Sequence, residues 1–95
     1  MSVAILQLEI HLPDSHSLKD RRQVLRSLKD RLRQRFNVAV AELNPSDLWQ
    51  RATIGIAAIG EDHAYVEGLL RQVGDAAVDM LHGQSVHLGE IEFLD

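Results

Sequence analysis

The chain has 95 residues, of which 45% are hydrophobic and 25% are charged, and its formal net charge is −4. This is the size and composition of one soluble domain, and apolar residues spread along the whole sequence exclude a long disordered segment. The absence of cysteine excludes disulfides, thiolate catalysis and zinc–cysteine sites. No apolar run approaches the roughly 20 residues of a membrane helix, and the strand-like start without a signal peptide predicts a cytoplasmic location.

The first third of the chain predicts a strand followed by a helix. Residues 2–12 alternate apolar and polar side chains from Leu6 onward, as a half-buried strand does. Ser17 stands at an N-cap position with Asp20 three residues later, and we predict a helix from there to about Arg35. The apolar stripe of this helix recurs at helical spacing and consists of Leu18, Leu25, Leu28, Leu32 and Phe36.

Two further strands and a second helix follow. Residues 37–43 are short and β-branched, and residues 51–59 are apolar on both faces of a strand. Asp62 is the predicted N-cap of the second helix, and Gly83 is its predicted stop. The apolar stripe of this helix consists of Val66, Leu69, Leu70, Val73, Ala77, Met80 and Leu81.

The last strand, at about residues 85–94, changes its apolar phase at Gly89, which predicts a β-bulge there. The element order β-α-β-β-α-β is that of two split βαβ units with right-handed crossovers. We therefore predict one α+β domain over residues 1–95. It is a ferredoxin-like sandwich with two helices on one face of a four-stranded antiparallel sheet, and the other face of the sheet is bare.

Positive charge is concentrated in the first predicted helix. Residues 19–35 hold eight basic side chains and two acidic ones, a local charge of +6, which leaves −10 for the rest of the chain. At about 100° per residue, a stripe beside the apolar one contains five of these basic residues: Lys19, Arg22, Arg26, Lys29 and Arg33. Several cations along one accessible ridge suit the phosphate backbone of a nucleic acid, with Arg21 and Arg51 as additional contacts. The alternative is a solvated or ion-paired helix face.

The bare sheet face does not predict RNA recognition by base stacking. RNA-binding domains of this topology stack bases on aromatic side chains of the central strands, and the first and third strands here have none. The carboxylates of Glu9, Glu90 and Glu92 on or near this face would also repel phosphate. A set of small residues forms either a flat apolar patch suited to homodimerisation or the space that lets the helices approach closely: Ala39, Ala41, Gly55 and Ala57.

No candidate catalytic or metal site has the arrangement that its chemistry needs, so we predict neither an enzyme nor a cofactor. Residues 14–16 have the types of a hydrolase triad, but consecutive residues in one turn rarely converge, and turn formation explains them. The five histidines show neither an HExxH pattern nor a close i,i+4 pair. Trp49 is either a partner-binding residue, with Arg51 beside it, or a lid over one end of the core.

Four segments of the chain are distinctive in combination. They are the first strand with its turn, the helix start at 17–22, the junction at 35–42, and residues 47–52 with the sequence DLWQRA. Together they resemble the YlxP-like family of small bacterial proteins of unknown function, over essentially the whole chain. The resemblance implies a ferredoxin-like fold. Genes of this family often lie beside those of translation factors and ribosome-binding factor A, which implies a ribosome-related role.

We therefore expect a cytoplasmic, non-enzymatic protein that contacts ribosomal RNA or a ribosome-assembly intermediate through its basic helix. Such contacts would recognise the shape and the phosphate groups of the RNA, because nothing in the sequence predicts hydrogen bonds to base edges. One alternative is a homodimeric interaction or regulatory module that does not bind nucleic acid. Another is a small enzyme or metabolite-binding domain, which predicts a concave pocket with converging polar groups. None of these hypotheses includes a membrane.

Overall fold

The computed structural model describes residues 1–12, 16–44, 50–82 and 84–95. Their elements are β1 (Ser2–His11), α1 (Leu18–Arg35), β2 (Ala39–Leu43), β3 (Arg51–Gly60), α2 (His63–Met80), β4 (Ser85–Leu88) and β5 (Glu92–Phe93). The strands form one antiparallel sheet in the order β2-β3-β1-β4, and β5 also pairs with β1. The predicted ferredoxin-like architecture is confirmed. Among the described residues, no helix has both the length and the apolarity to cross a membrane.

Both helices begin at the N-caps that the sequence predicts. The Ser17 hydroxyl accepts a hydrogen bond from the Asp20 amide at 3.1 Å, and the Asp62 carboxylate accepts one from the Tyr65 amide at 2.8 Å. The Asp20 carboxylate also accepts a hydrogen bond from the amide of His16 at 3.1 Å. The bonds to the Asp20 and Tyr65 amides satisfy donors that the first helical turn leaves without intrahelical partners, and the His16 bond fixes the residue before the N-cap. The predicted stop of the second helix, at residue 83, lies outside the described residues.

The core lies between the two helices and one face of the sheet. Alternate residues of β1 and β3 point into it, and α1 and α2 contribute Leu25, Leu28, Leu32, Val66, Leu70, Val73 and Ala77. The predicted stripe of α1 is wrong at Leu18, whose exposed fraction is 41%. Arg21 instead occupies the buried position one turn before Leu25, because the aliphatic stem of an arginine can cover the core while its guanidinium finds polar partners.

The last strand is split in two, so the continuous strand predicted over residues 85–94 is wrong. Leu88 pairs with Leu8 and Phe93 pairs with Ala4, so five residue steps on this side oppose four steps on β1. One extra residue opposite a neighbouring strand is a β-bulge, as predicted at Gly89. The Gly89 amide still donates a hydrogen bond to the carbonyl of residue 7 at 2.9 Å, so the ladder continues up to the bulge.

Residues after the bulge contact the beginnings of β1 and α2. The rings of His63 and Phe93 stack with their centroids 4.0 Å apart, and His63 Nε2 lies 3.0 Å from Asp95 Oδ2. The amide of Val3 donates to Asp95 Oδ1 at 3.1 Å. The hydrogen bond from His63, and next the one from the Val3 amide, lower the pKa of the Asp95 carboxyl below its ordinary value.

Candidate functional site

Four of the predicted basic residues line one groove between α1 and β2. This groove encloses about 320 Å³ and is lined by Arg22, Leu25, Arg26, Lys29, Asp30, Arg33 and Glu42. Because β2 is an edge strand of the sheet, the groove runs along the side of the molecule. We call it the basic groove.

Three of the four cations in the basic groove have no ion-pair partner within the described part of the chain: Arg22, Arg26 and Lys29. Arg33 is engaged, since its Nη2 donates to the Val40 carbonyl at 2.6 Å and its Nη1 lies 3.6 Å from Asp30 Oδ1. The Asp30–Arg33 pair is half-exposed, so it contributes little to stability. Four cations against two carboxylates leave the basic groove positive.

Arg21 differs from the other predicted contacts because it is buried, with an exposed fraction of 7%. Its Nη2 lies 2.5 Å from Glu42 Oε2, and its Nε and Nη2 donate to the carbonyl of Arg51 at 3.2 Å and 3.1 Å. The fixed fork of guanidinium donors thus ties α1 to β2 and to the start of β3. Arg21 therefore supports the wall of the basic groove and neutralises Glu42. Its position one turn before Leu25 is compatible with burial, but the partners that fix its role come from β2 and β3.

Lys19 and Arg51 do not line the basic groove. Lys19 is exposed in the first turn of α1. Arg51 pairs with His11, whose neighbour Ile10 is buried, so the Arg51 side chain lies on the sheet face turned away from the helices. Trp49, for which the sequence leaves both partner binding and a lid over the core open, lies outside the described residues, as do residues 14–15 of the rejected triad.

The sheet face turned away from the helices, which we call the outer sheet face, is apolar near the start of β1. A cavity of about 290 Å³ there is lined mainly by Ile5, Ala39, Ala41, Leu43, Gly55 and Ala57. The small residues therefore face away from the helices, which contradicts the interpretation that they let the helices approach. Gly55 makes room for Leu43, since a Cβ at residue 55 would lie 2.7 Å from Leu43 Cδ1. Ile59, on the same face, is 55% exposed.

The other end of the outer sheet face is polar. Glu9 lies there and accepts a hydrogen bond from Thr53 Oγ1 at 2.8 Å. The neighbours of these two residues include His11, Arg51 and His87. Among the described residues, no group of three or more histidine, aspartate or glutamate side chains is placed to hold a metal ion.

Comparison with known proteins identifies a family without an assigned role. A family model described as "Protein of unknown function (DUF503)" matches residues 3–88. The "Uncharacterized protein YlxP" of Bacillus subtilis (strain 168) is 34% identical over 71 residues, which make up 75% of this chain and 77% of that protein. Both matches extend over most of the chain.

Solved structures with low sequence identity share the fold. The C-terminal segment of the alpha subunit of aIF2 from Pyrococcus abyssi superposes with a TM-score of 0.57 at 19% identity, over 90% of this chain and 48% of that segment. This chain thus spans about half the length of that segment. A de novo designed protein with a ferredoxin fold, LFR1 1, gives a TM-score of 0.61 at 7% identity over 94% of this chain and 84% of the design. At such identities the likeness concerns the fold alone.

Proposed function

Because the chain belongs to the DUF503 family, whose function is unknown, we propose its role from the site itself: it binds the phosphate backbone of RNA through the basic groove. The proposed target is ribosomal RNA or a ribosome-assembly intermediate, and the proposed role is binding without catalysis. The observation that carries the proposal is that Arg22, Arg26 and Lys29 line one groove without an ion-pair partner among the described residues.

The spacing of these three cations suits a linear polyanion. Positions 22, 26 and 29 lie on one side of α1 and span about 10 Å of helix at 1.5 Å per residue. Like charges held this close repel one another, and a bound phosphate backbone relieves that repulsion while it releases its own counterions. Contacts of this kind position a nucleic acid without reading its bases.

The surroundings of the basic groove favour binding there over binding on the outer sheet face. Glu42 lines the groove, but Arg21 compensates its charge from behind. On the outer sheet face, Glu9 and Glu92 are exposed, and β1 and β3 provide no phenylalanine, tyrosine or tryptophan on which a base could stack. The described residues therefore favour contact with the RNA backbone at α1 and its edge with β2 over base stacking on the sheet.

We would test the proposal with the triple variant R22E/R26E/K29E in co-sedimentation with ribosomal subunits and in binding to ribosomal RNA across a salt series. If three phosphate contacts are lost, the slope of log affinity against log salt concentration should fall by about 2, in addition to the loss of affinity. The matched control is R31E/R35E/R71E, which changes the net charge equally at exposed positions that do not line the basic groove.

The control distinguishes the groove from the charge of the whole protein. We expect R31E/R35E/R71E to keep most of the wild-type affinity and salt slope, with circular dichroism showing that both triple variants are folded. Equal losses in the two variants would assign the binding to net charge alone. Wild-type binding by R22E/R26E/K29E would end the proposal.

A homodimer formed through the outer sheet face is the second candidate function. The observation that favours it is the apolar cavity lined by Ile5, Ala41 and Ala57, together with the exposure of Ile59 beside it. A patch of this kind is typical of a protein–protein contact. Since this face lies across the sheet from the helices, such a dimer would leave the basic groove open.

A further inference from the structure

A separate polar cavity lies at the end of the outer sheet face where β1 finishes. It encloses about 500 Å³ and is lined by Glu9, Ile10, His11, Arg51, Ser85, Val86 and His87. The strand register explains its composition. Two successive rungs across β3, β1 and β4 consist of Arg51, His11 and Ser85, and then of Thr53, Glu9 and His87.

Three groups that can carry positive charge converge in this cavity. Arg51, His11 and His87 make no side-chain ion pair or hydrogen bond within the described part of the chain. Directly opposite residues in such a ladder have Cβ atoms about 5 Å apart, and diagonal neighbours are about 7 Å apart, so one small ligand can reach all three. Among the described residues, Glu9 is the only carboxylate in the lining, and it already accepts a hydrogen bond from Thr53.

We propose that this cavity binds the terminal phosphate of a phosphorylated sugar, either a free nucleoside monophosphate or the 5′-phosphate end of an RNA strand. A guanidinium matches two phosphate oxygens at once, so Arg51 supplies the contact that does not depend on pH. His11 and His87 donate hydrogen bonds to the phosphate and add charge when they are protonated, and the Ser85 hydroxyl provides a further donor. Glu9 accepts a hydrogen bond from a sugar hydroxyl, which favours a phosphorylated sugar over a bare anion.

The site is independent of the basic groove, since Arg51 lies on the opposite face of the sheet from the helices. Within the described part of the chain, the ionisable groups that line the cavity are Glu9 and His11 on β1, Arg51 on β3 and His87 on β4.

The five histidines give a direct readout by nuclear magnetic resonance of their imidazole carbon-bound protons. On titration with adenosine monophosphate, His11 and His87 should shift and saturate, while His16, His63 and His82 outside the cavity should not. Sulfate, which has no sugar, should shift the same two histidines but should bind more weakly than adenosine monophosphate. Adenosine, which has no phosphate, should cause no saturable shift.

Variants connect the signal to the cavity. We expect R51Q and H87Q to weaken binding of adenosine monophosphate about tenfold, which is the effect of losing one charge-assisted hydrogen bond. R71Q on α2 is the matched control, and R22E/R26E/K29E should also bind like wild type, which separates this site from the basic groove. Shifts spread over all five histidines, shifts that do not saturate, or wild-type binding by R51Q would each overturn the proposal.

A pair of oligoribonucleotides distinguishes the two sources of phosphate. Tighter binding of a 5′-phosphorylated strand than of adenosine monophosphate, with loss of the His11 and His87 shifts for the 5′-hydroxyl strand, would assign the cavity to an RNA end. Equal binding of the strand and the mononucleotide would assign it to a free nucleotide. If neither the 5′-phosphorylated strand nor adenosine monophosphate shifts His11 and His87, the cavity does not bind a terminal phosphate and the proposal is wrong.

Discussion

At the scale of single residues, the contact between Arg21 and Glu42 contributes both to the stability of the fold and to the wall of the basic groove. Removing the guanidinium in R21M leaves the Glu42 carboxylate, whose side chain is 19% exposed, without its partner. We expect the free energy of unfolding to fall by about 2–4 kcal/mol, because a largely buried charge left unpaired costs more than the pair contributes. The double variant R21M/E42L should recover most of this loss, and unfolding in urea followed by circular dichroism measures both. A double variant less stable than R21M would contradict this account.

Arg21 also shows where prediction from sequence stops at this scale. Helical periodicity correctly places Leu25, Leu28 and Leu32 in the core. It cannot choose between Leu18 and Arg21, which begin the stripe three residues apart, because the choice depends on the partners that β2 and β3 bring to the guanidinium. For the same reason, the sequence predicts a basic stripe but not which of its cations are already bonded.

At the scale of elements, α2 contains two glycines in different surroundings. A Cβ at Gly68 would meet nothing within 4 Å, whereas a Cβ at Gly74 would lie 3.3 Å from Leu88 Cδ1 and 3.5 Å from Leu6 Cδ2. We expect G68A to raise the free energy of unfolding by about 0.5–1 kcal/mol, because alanine loses less conformational freedom in a helix. G74A should gain less, since Leu88 has to move. Thermal unfolding of the two variants compares them, and equal gains would argue against a packing role for Gly74.

The elements themselves are predictable to the extent that their signals are local. Ser17 and Asp62 start their helices through hydrogen bonds to amides three residues away, so the sequence contains the whole interaction. The split between β4 and β5 is different. The phase change at Gly89 predicts the bulge, but the length of the gap depends on how residues 89–91 leave the ladder of β1, which is a tertiary effect.

At the scale of the whole molecule, the two sides of the sheet have different chemistry. The uneven charge along the sequence predicts a basic helix, and the structure adds that its cations meet the edge strand β2 in a groove. The convergence of Arg51, His11 and His87 could not be found from spacing along the chain, because three strands bring them together. The register between strands that are far apart in the chain is the part of such a site that a single sequence does not predict.

The apolar end of the outer sheet face carries the last prediction, which concerns association. If this face pairs with a second copy, the average mass in sedimentation equilibrium should rise with protein concentration toward that of two chains. I59K and A41K should keep the protein monomeric, because each places a charge on the apolar patch at an exposed position and so should not disturb the fold. V78K, at an exposed position on α2, should associate like wild type. A wild-type protein that stays monomeric at every concentration would remove the dimer. That result would leave the proposal of RNA binding unaffected, because the basic groove lies on the helix side of the sheet and the apolar patch lies on the outer face.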